Sequence, residues 1–220
     1  MALEQWQHDL GSANAAAAER LQAWLETHSA IALAGGAGSA APSPLASPFA
    51  SATLINNAGL IPPIAPLSAS DPAALAQALR VGLEAPMLLC AAFLAATEGW
   101  AVPRKVLNIS SGLGRRAMAS QAPYCAAKAG MDHFTRCLAL EEALKPHGAK
   151  VCSLAPGVID TDMQTQLRSA HPAAFPDAPQ FASLKTAGML TTPADAATRV
   201  LAWLERSDFG THPVADVREP

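Results

Sequence analysis

Val106–Thr161 reads VLNISSGLGRRAMASQAPYCAAKAGMDHFTRCLALEEALKPHGAKVCSLAPGVIDT, and this stretch decides the fold. A largely apolar run, Lys105–Ile109, ends in Ser110 and Ser111. Thirteen residues after Ser111 comes Tyr124, and four further on comes Lys128. Ala127, Met131, Phe134 and Leu138 recur at spacings of four, three and four, which predicts a helix from Tyr124 to about Lys145. Pro123 suits its first turn, and Pro146 with Gly148 marks its stop. Tyr124 and Lys128 then share one helix face. A second apolar run, Val151–Leu154, leads into Pro156-Gly157.

That geometry carries chemistry. A free tyrosine has a pKa near ~10 and is a poor base at neutral pH. An ammonium within about 4–6 Å favours the phenolate and lowers that pKa. So tuned, Tyr124 can pass a proton to or from a carbonyl or alcohol oxygen. Ser111, at a strand end, can hydrogen-bond the same oxygen. A bare Tyr-x-x-x-Lys is most often two neighbours on a solvated helix face. Here the upstream serine and the downstream strand with Pro156-Gly157 weigh against that reading.

The segment resembles the catalytic half of the short-chain dehydrogenase/reductase family. Three more pieces carry the likeness: Asn56-Asn57-Ala58-Gly59 after an apolar run, Ser110-Ser111, and Pro156-Gly157-Val158-Ile159-Asp160-Thr161. The likeness runs from about Leu3 to the C-terminus. Asp160-Thr161-Asp162-Met163-Gln164 is similar to the branch holding sepiapterin reductases and bacterial benzil reductases. The resemblance implies that Ser111, Tyr124 and Lys128 are catalytic. It implies cofactor contacts at Asp9, Asn57, Ala58, Gly59, Tyr124, Lys128, Pro156, Gly157, Ile159 and Thr161. In the family an aspartate at the place of Asp9 touches the adenine; the plain alternative is a strand-to-helix turn. The branch implies NADP(H) rather than NAD(H), a diketone or pterin-like carbonyl substrate, and a homodimer or homotetramer packed through the helices around Ala85–Thr97 and Tyr124–Lys145.

Composition agrees with one domain. The chain has 220 residues, half of them apolar and 15% charged, with a net charge of −3. That charge gives no reason to expect nucleic acid or an anionic membrane as partner. The longest apolar run, Ala85–Ala96, is too short to span a bilayer. Glu4 follows Met1 closely and no basic leader is visible. Cys90, Cys125, Cys137 and Cys152 fall inside expected helices or strands and form no Cys-x-x-Cys pair, so they read as reduced core thiols of a cytoplasmic protein. The six histidines show no metal-ligand spacing, so no metal is expected.

Along the chain, Leu3–His8 alternates and ends at Asp9, and an Ala-rich helix follows from about Ala13 to Glu26, capped by Ser12 or Asn14. Residues from about Ile31 to Ala52 are a low-complexity loop. They hold Gly35-Gly36-Ala37-Gly38, but Pro42, Pro44 and Pro48 oppose the helix that a phosphate-cradling turn needs. Thr53–Ile55 is a strand, Asp71 to about Thr97 is helical with breaks near Gly82 and Pro86, and Gly157 to about Leu190 is a substrate-side loop. A last helix spans about Pro193–Glu205, with a strand near Val214. Asp160 and Asp162 read as loop caps, and Arg115 and Arg116 as a solvated turn. Alternating strands and helices predict a Rossmann-like, doubly wound parallel sheet with its ligand beyond the carboxyl ends of the strands.

Two departures from the family stand out. The usual opening (a strand, a glycine-rich phosphate turn, a helix and a second strand) is absent, so the fold is expected to be truncated. Those strands would lie between Leu3–His8 and Thr53–Ile55, leaving Thr53–Ile55 with an unpaired edge. Either Leu3–His8 moves in beside it, or the N-terminal part is loose, or the protein begins upstream of Met1; the unpaired edge favours the last. The second departure is Gly82, which stands where the family often has a catalytic asparagine that holds a proton-relay water near the lysine. The resemblance therefore implies a carbonyl reductase with a slower or differently wired relay. The alternative is a truncated, non-catalytic homologue acting as a scaffold or oligomerisation partner.

Overall fold

The computed structural model describes residues 4–12, 14–35 and 49–219. Four parallel strands form one sheet: β1 (Ala52–Asn56), β2 (Arg104–Ile109), β3 (Lys150–Ala155) and β4 (Val214–Asp216), in that spatial order. β2 and β3 are near-continuous apolar runs because both of their faces are covered. Val106, Leu107, Val151, Cys152 and Leu154 are at most 1% exposed. The register sets Leu54 beside Val106 and Val106 beside Val151. Two residues on, it sets Asn56 beside Asn108 and Asn108 beside Ser153, a polar row at the carboxyl end.

Helices pack on both faces. α1 (Asn14–Gly35), α3 (Ala85–Ala96) and α4 (Ala122–Ala143) bury Leu25, Phe93, Leu94 and Leu138 against Val106 and Val151. On the other side α7 (Pro193–Leu204) lays Leu204 with Phe209 over Leu107, Cys152 and Leu154. The doubly wound expectation therefore holds.

The helix expected to break near Gly82 does not break. α2 (Pro72–Leu79) runs through one π turn, Arg80–Glu84, into α3. Pro86 has no N–H to offer the carbonyl four residues back, that of Gly82. The helix absorbs this by widening, and Ala85 N–H donates to the Arg80 oxygen. Asn14, expected as a possible cap, instead sends its Nδ2 across to the same Arg80 oxygen at 3.2 Å. The full helix, Pro72–Ala96, is 25 residues with a mean hydropathy of 1.6, so it is longer than the apolar run suggested and passes for a membrane span by composition. Half of its apolar window is buried inside the molecule, as a helix sandwiched between α1, α4 and the sheet requires.

Other expectations are corrected. Glu4–Asp9 forms no strand; it is exposed and irregular, and Leu3 lies outside the described residues. It is nonetheless tied down along α1: Trp24 Nε1 donates to Glu4 Oε2 at 2.8 Å, and the Arg20 guanidinium stands 4.5 Å over the Trp6 ring. β1 accordingly pairs only with β2 among the described residues, and Ile55 is left 42% exposed. α1 extends to Gly35, so the segment from Ile31 opens as helix rather than loop; residues 36–48, with Gly36–Gly38 and the prolines, lie outside the described residues. The loop expected after Gly157 contains α5 (Asp162–Arg168) and α6 (Ala178–Thr186). Cys90 and Cys152 are buried thiols, but Cys125 is half-buried and Cys137 exposed.

Candidate active site

Ser111 follows β2 directly. Its backbone is extended, and its Oγ accepts a 3.2 Å hydrogen bond from Leu113 N–H at the start of the 3-10 turn Gly112–Gly114. Tyr124 sits in the first turn of α4, where Pro123 is tolerated because it removes no helical hydrogen bond. The phenol lies half-buried and hydrogen-bonds with Ser111. Lys128, one turn later, is buried. Its Nζ donates to the Ile109 oxygen at 2.7 Å and lies 5.8 Å from the Tyr124 ring centre. The serine, tyrosine and lysine expected from spacing are thus brought together at the carboxyl end of β2.

The electrostatics differ from the simple expectation. Burial raises the Tyr124 pKa above its ordinary value, and the Ser111 hydrogen bond pulls it only partly back. Burial also drives Lys128 down to about 8, against the pull of Asp132. The lysine ammonium is spent on the Ile109 carbonyl rather than on the phenol. Tyr124 is therefore a neutral phenol at neutral pH.

Around this trio, Gly59 approaches closely: a Cβ there would stand 3.7 Å from Lys128 Nζ and 3.8 Å from Met163 Cε. Asn57 and Ala58, just past β1, are exposed. Pro156, Gly157, Ile159 and Thr161 follow β3. Gly157 has φ +86°, a conformation that glycine adopts without strain. Ile159 is held by a parallel bridge to Thr191, and Thr161 caps α5 with its backbone while its side chain stays exposed. Asp160 is not a cap; it pairs with Arg168 at 3.3 Å and with Lys185, pinning the segment to α6. Asp9 is not joined to the others. Its Oδ1 accepts Gly11 N–H at 2.8 Å in the turn leading into α1.

Several residues of the site escaped the sequence reading. Asp132, 1% exposed, accepts from Ser110 Oγ at 2.5 Å and Ser153 Oγ at 2.7 Å. Arg115 and Arg116 lie in an exposed turn as expected, but Arg115 also reaches inward: its Nε lies 3.6 Å from Asp132 Oδ2 and it donates to the Ala215 oxygen at 3.2 Å. Asn56 Nδ2 donates to Asn108 Oδ1 at 2.8 Å, and Asn108 Nδ2 to Thr135 Oγ1 at 2.9 Å. The helical spacing of Asp132, four residues past Lys128, was a signal for the first of these. Beside Tyr124 stands an apolar wall of Ile61, Met118, Leu167, Phe175 and Phe181. Two clefts lie elsewhere, one between α3 and α4 of about 320 Å3 and one beside α7 and β4 of about 270 Å3.

The donors suit the nicotinamide and ribose end of a dinucleotide: a buried ammonium, a glycine that leaves room beside it, an exposed segment past β1 and a half-buried one past β3. No glycine-rich turn for a pyrophosphate occurs among the described residues.

Comparison with known proteins agrees. Residues 52–172 match the model of the short chain dehydrogenase family. The chain is 37% identical over 156 residues to a benzil reductase ((S)-benzoin forming) of Bacillus cereus, covering 71% of this chain and 63% of that protein. It is 32% identical over 158 residues to the protein of the same name from Bacillus subtilis (strain 168), covering 72% and 65%. The chain thus spans just under two thirds of these relatives. A short chain dehydrogenase from Salmonella enterica subsp. enterica serovar Typhi str. CT18 superposes over 99% of this chain and 76% of its own, with TM-score 0.70 and 20% identity. From its matched core, its parallel sheet and its serine, tyrosine and lysine, this chain belongs to the short-chain dehydrogenase family.

Proposed function

We propose that the chain is a nicotinamide-dependent reductase that converts a carbonyl to an alcohol, with NADPH preferred and an aromatic diketone or pterin-like compound as substrate. The observation that carries this reading is the joining of Ser111, neutral Tyr124 and buried Lys128 at one strand end. The bound nicotinamide supplies the hydride. Ser111 positions the substrate carbonyl oxygen. Tyr124 Oη donates its proton to that oxygen as negative charge develops. Lys128 holds the ribose hydroxyls, and the backbone from Pro156 to Thr161 with Asn57–Gly59 holds the nicotinamide end. The apolar wall of Met118, Phe175 and Phe181 beside Tyr124 favours a flat, apolar substrate and excludes water. The similarity to benzil reductases supports the diketone class. Leu140 on α4 and Leu144 at its C-cap, 72% and 87% exposed, support a homodimer through that helix.

A second reading, a non-catalytic scaffold, is favoured by Gly82 and by the lack of a glycine-rich phosphate turn among the described residues. A fluorescence titration with NADPH, and separately NADH, separates the two. Micromolar binding followed by turnover of benzil supports the reductase. A folded chain that binds neither dinucleotide contradicts it.

A further inference from the structure

Asp132 is a buried charge that the chemistry above does not use. It stands two turns past Tyr124 on α4, next along the face that carries Lys128. Its Oδ1 takes two short hydroxyl hydrogen bonds, from Ser110 at 2.5 Å and Ser153 at 2.7 Å. These come from the carboxyl ends of two adjacent strands, β2 and β3. Its Oδ2 has no hydrogen-bond partner and faces Arg115 Nε at 3.6 Å. Arg115 in turn reaches the Ala215 oxygen on β4 at 3.2 Å. One carboxylate thus fastens three strands to α4.

Two consequences bear on the site. Ser110 and Arg115 flank the short turn that carries Ser111, so Asp132 grips that turn on both sides. Gly114 within it is obligatory: a Cβ there would fall 2.8 Å from Asp132 Oδ2 and 3.0 Å from the Lys128 oxygen. The second consequence concerns charge. Lys128 has a carbonyl, not a carboxylate, as its hydrogen-bond partner. Burying an ammonium without a counter-charge is costly, and Asp132 is the anion that acts on it. The place where a relay asparagine is common holds Gly82, so no amide side chain stands there to help.

We propose that Asp132 is a positioning residue, one that fixes the Ser111 turn through Ser110 and Arg115 and sets its carboxylate one helical turn past the buried Lys128 as that ammonium's counter-charge. The proposal rests on the reductase reading for its effect on turnover, but not for its effect on Lys128. The groups acting on or facing Asp132 are Arg115, Lys128, Cys152 and the hydroxyls of Ser110 and Ser153.

The test uses the full chain labelled in its lysines, with Lys128→Met to assign the signal. Asp132→Asn keeps the shape and removes the charge; Asp132→Glu keeps the charge. The Lys128 titration in Asp132→Asn is expected to move to lower pH by about half a unit or more, with Asp132→Glu returning part of the shift. Benzil reduction in Asp132→Asn should fall about tenfold in kcat/KM, and its alkaline limb should move to lower pH in step with the lysine. An unchanged Lys128 titration in a folded Asp132→Asn chain overturns the proposal, whether or not the wild type turns over. If the wild type does not reduce carbonyls, the reductase reading fails alone, and the lysine titration still decides the role of Asp132.

Discussion

Lys128 Nζ donates its 2.7 Å hydrogen bond to the Ile109 oxygen at the end of β2, while the phenol of Tyr124, one helical turn earlier, bonds with Ser111. The lysine and the tyrosine are therefore each anchored to the same strand end rather than to each other. Burial then moves them in opposite directions, the tyrosine up and the lysine down to about 8. Both shifts favour the neutral forms, the lysine's against the pull of Asp132.

The depressed lysine has a stability signature. The folded pKa is about 8 against an ordinary value of 10.5. Between those values the unfolded chain binds a proton that the folded chain has lost. Stability contributed by this group therefore rises with pH from about 8 to about 10.5, and the penalty is full below about 8. Lys128→Met lacks the effect, so the stability of the wild type relative to Lys128→Met should rise by up to roughly 3 kcal/mol across that window. Cys90 and Cys152, raised to about 12 and about 11, push the other way but are present in both proteins. Urea unfolding at several pH values checks it, and a flat difference refutes it.

Restoring the family's asparagine at Gly82 should harm this chain. A Cβ at position 82 would meet the Ala127 Cβ at 3.0 Å, where the π turn presses on α4. Gly82→Asn is expected to cost about 1–3 kcal/mol through overpacking and to lower the Tm by several degrees. Adding Ala127→Gly should recover most of that loss. A more stable single variant would show that the helices part freely.

The polar row under the site is a structural fastener. Asn108→Ala removes the stronger partner of Asn56 Nδ2, leaving it only Cys90 Sγ at 3.3 Å, and leaves Thr135 Oγ1 with only its bond to the Met131 oxygen, so it should destabilise by about 1–3 kcal/mol. The urea midpoint should fall with the m-value unchanged. An unaltered midpoint would mean that the freed groups find other partners.

The central strands and α4 were legible because their apolar spacing matches one period each. The meeting of Ser111, Tyr124 and Lys128 at one strand end followed from their spacing. What the sequence hid has physical causes. Leu3–His8 alternates like a strand, but a strand needs a ladder neighbour, and the described part of the segment, from Glu4 on, lies on α1 through Glu4 and Trp6 instead. Pro172, Pro176 and Pro179 disguised α6, although Pro179 falls within its first two residues, where a proline is harmless. Asp132 was overlooked because one acidic residue on a helix usually faces water; only the sheet register, which brings Ser110 and Ser153 to it, reveals its burial.

The most direct measurement is turnover and dinucleotide binding by Tyr124→Phe, compared with the wild type. The account predicts that carbonyl reduction falls roughly 100-fold or more, because the proton donor is gone. NADPH affinity should stay within about twofold, because Lys128 and the backbone past β1 and β3 remain. Undiminished reduction by Tyr124→Phe would contradict the role assigned to this residue and, with it, the reading of the site.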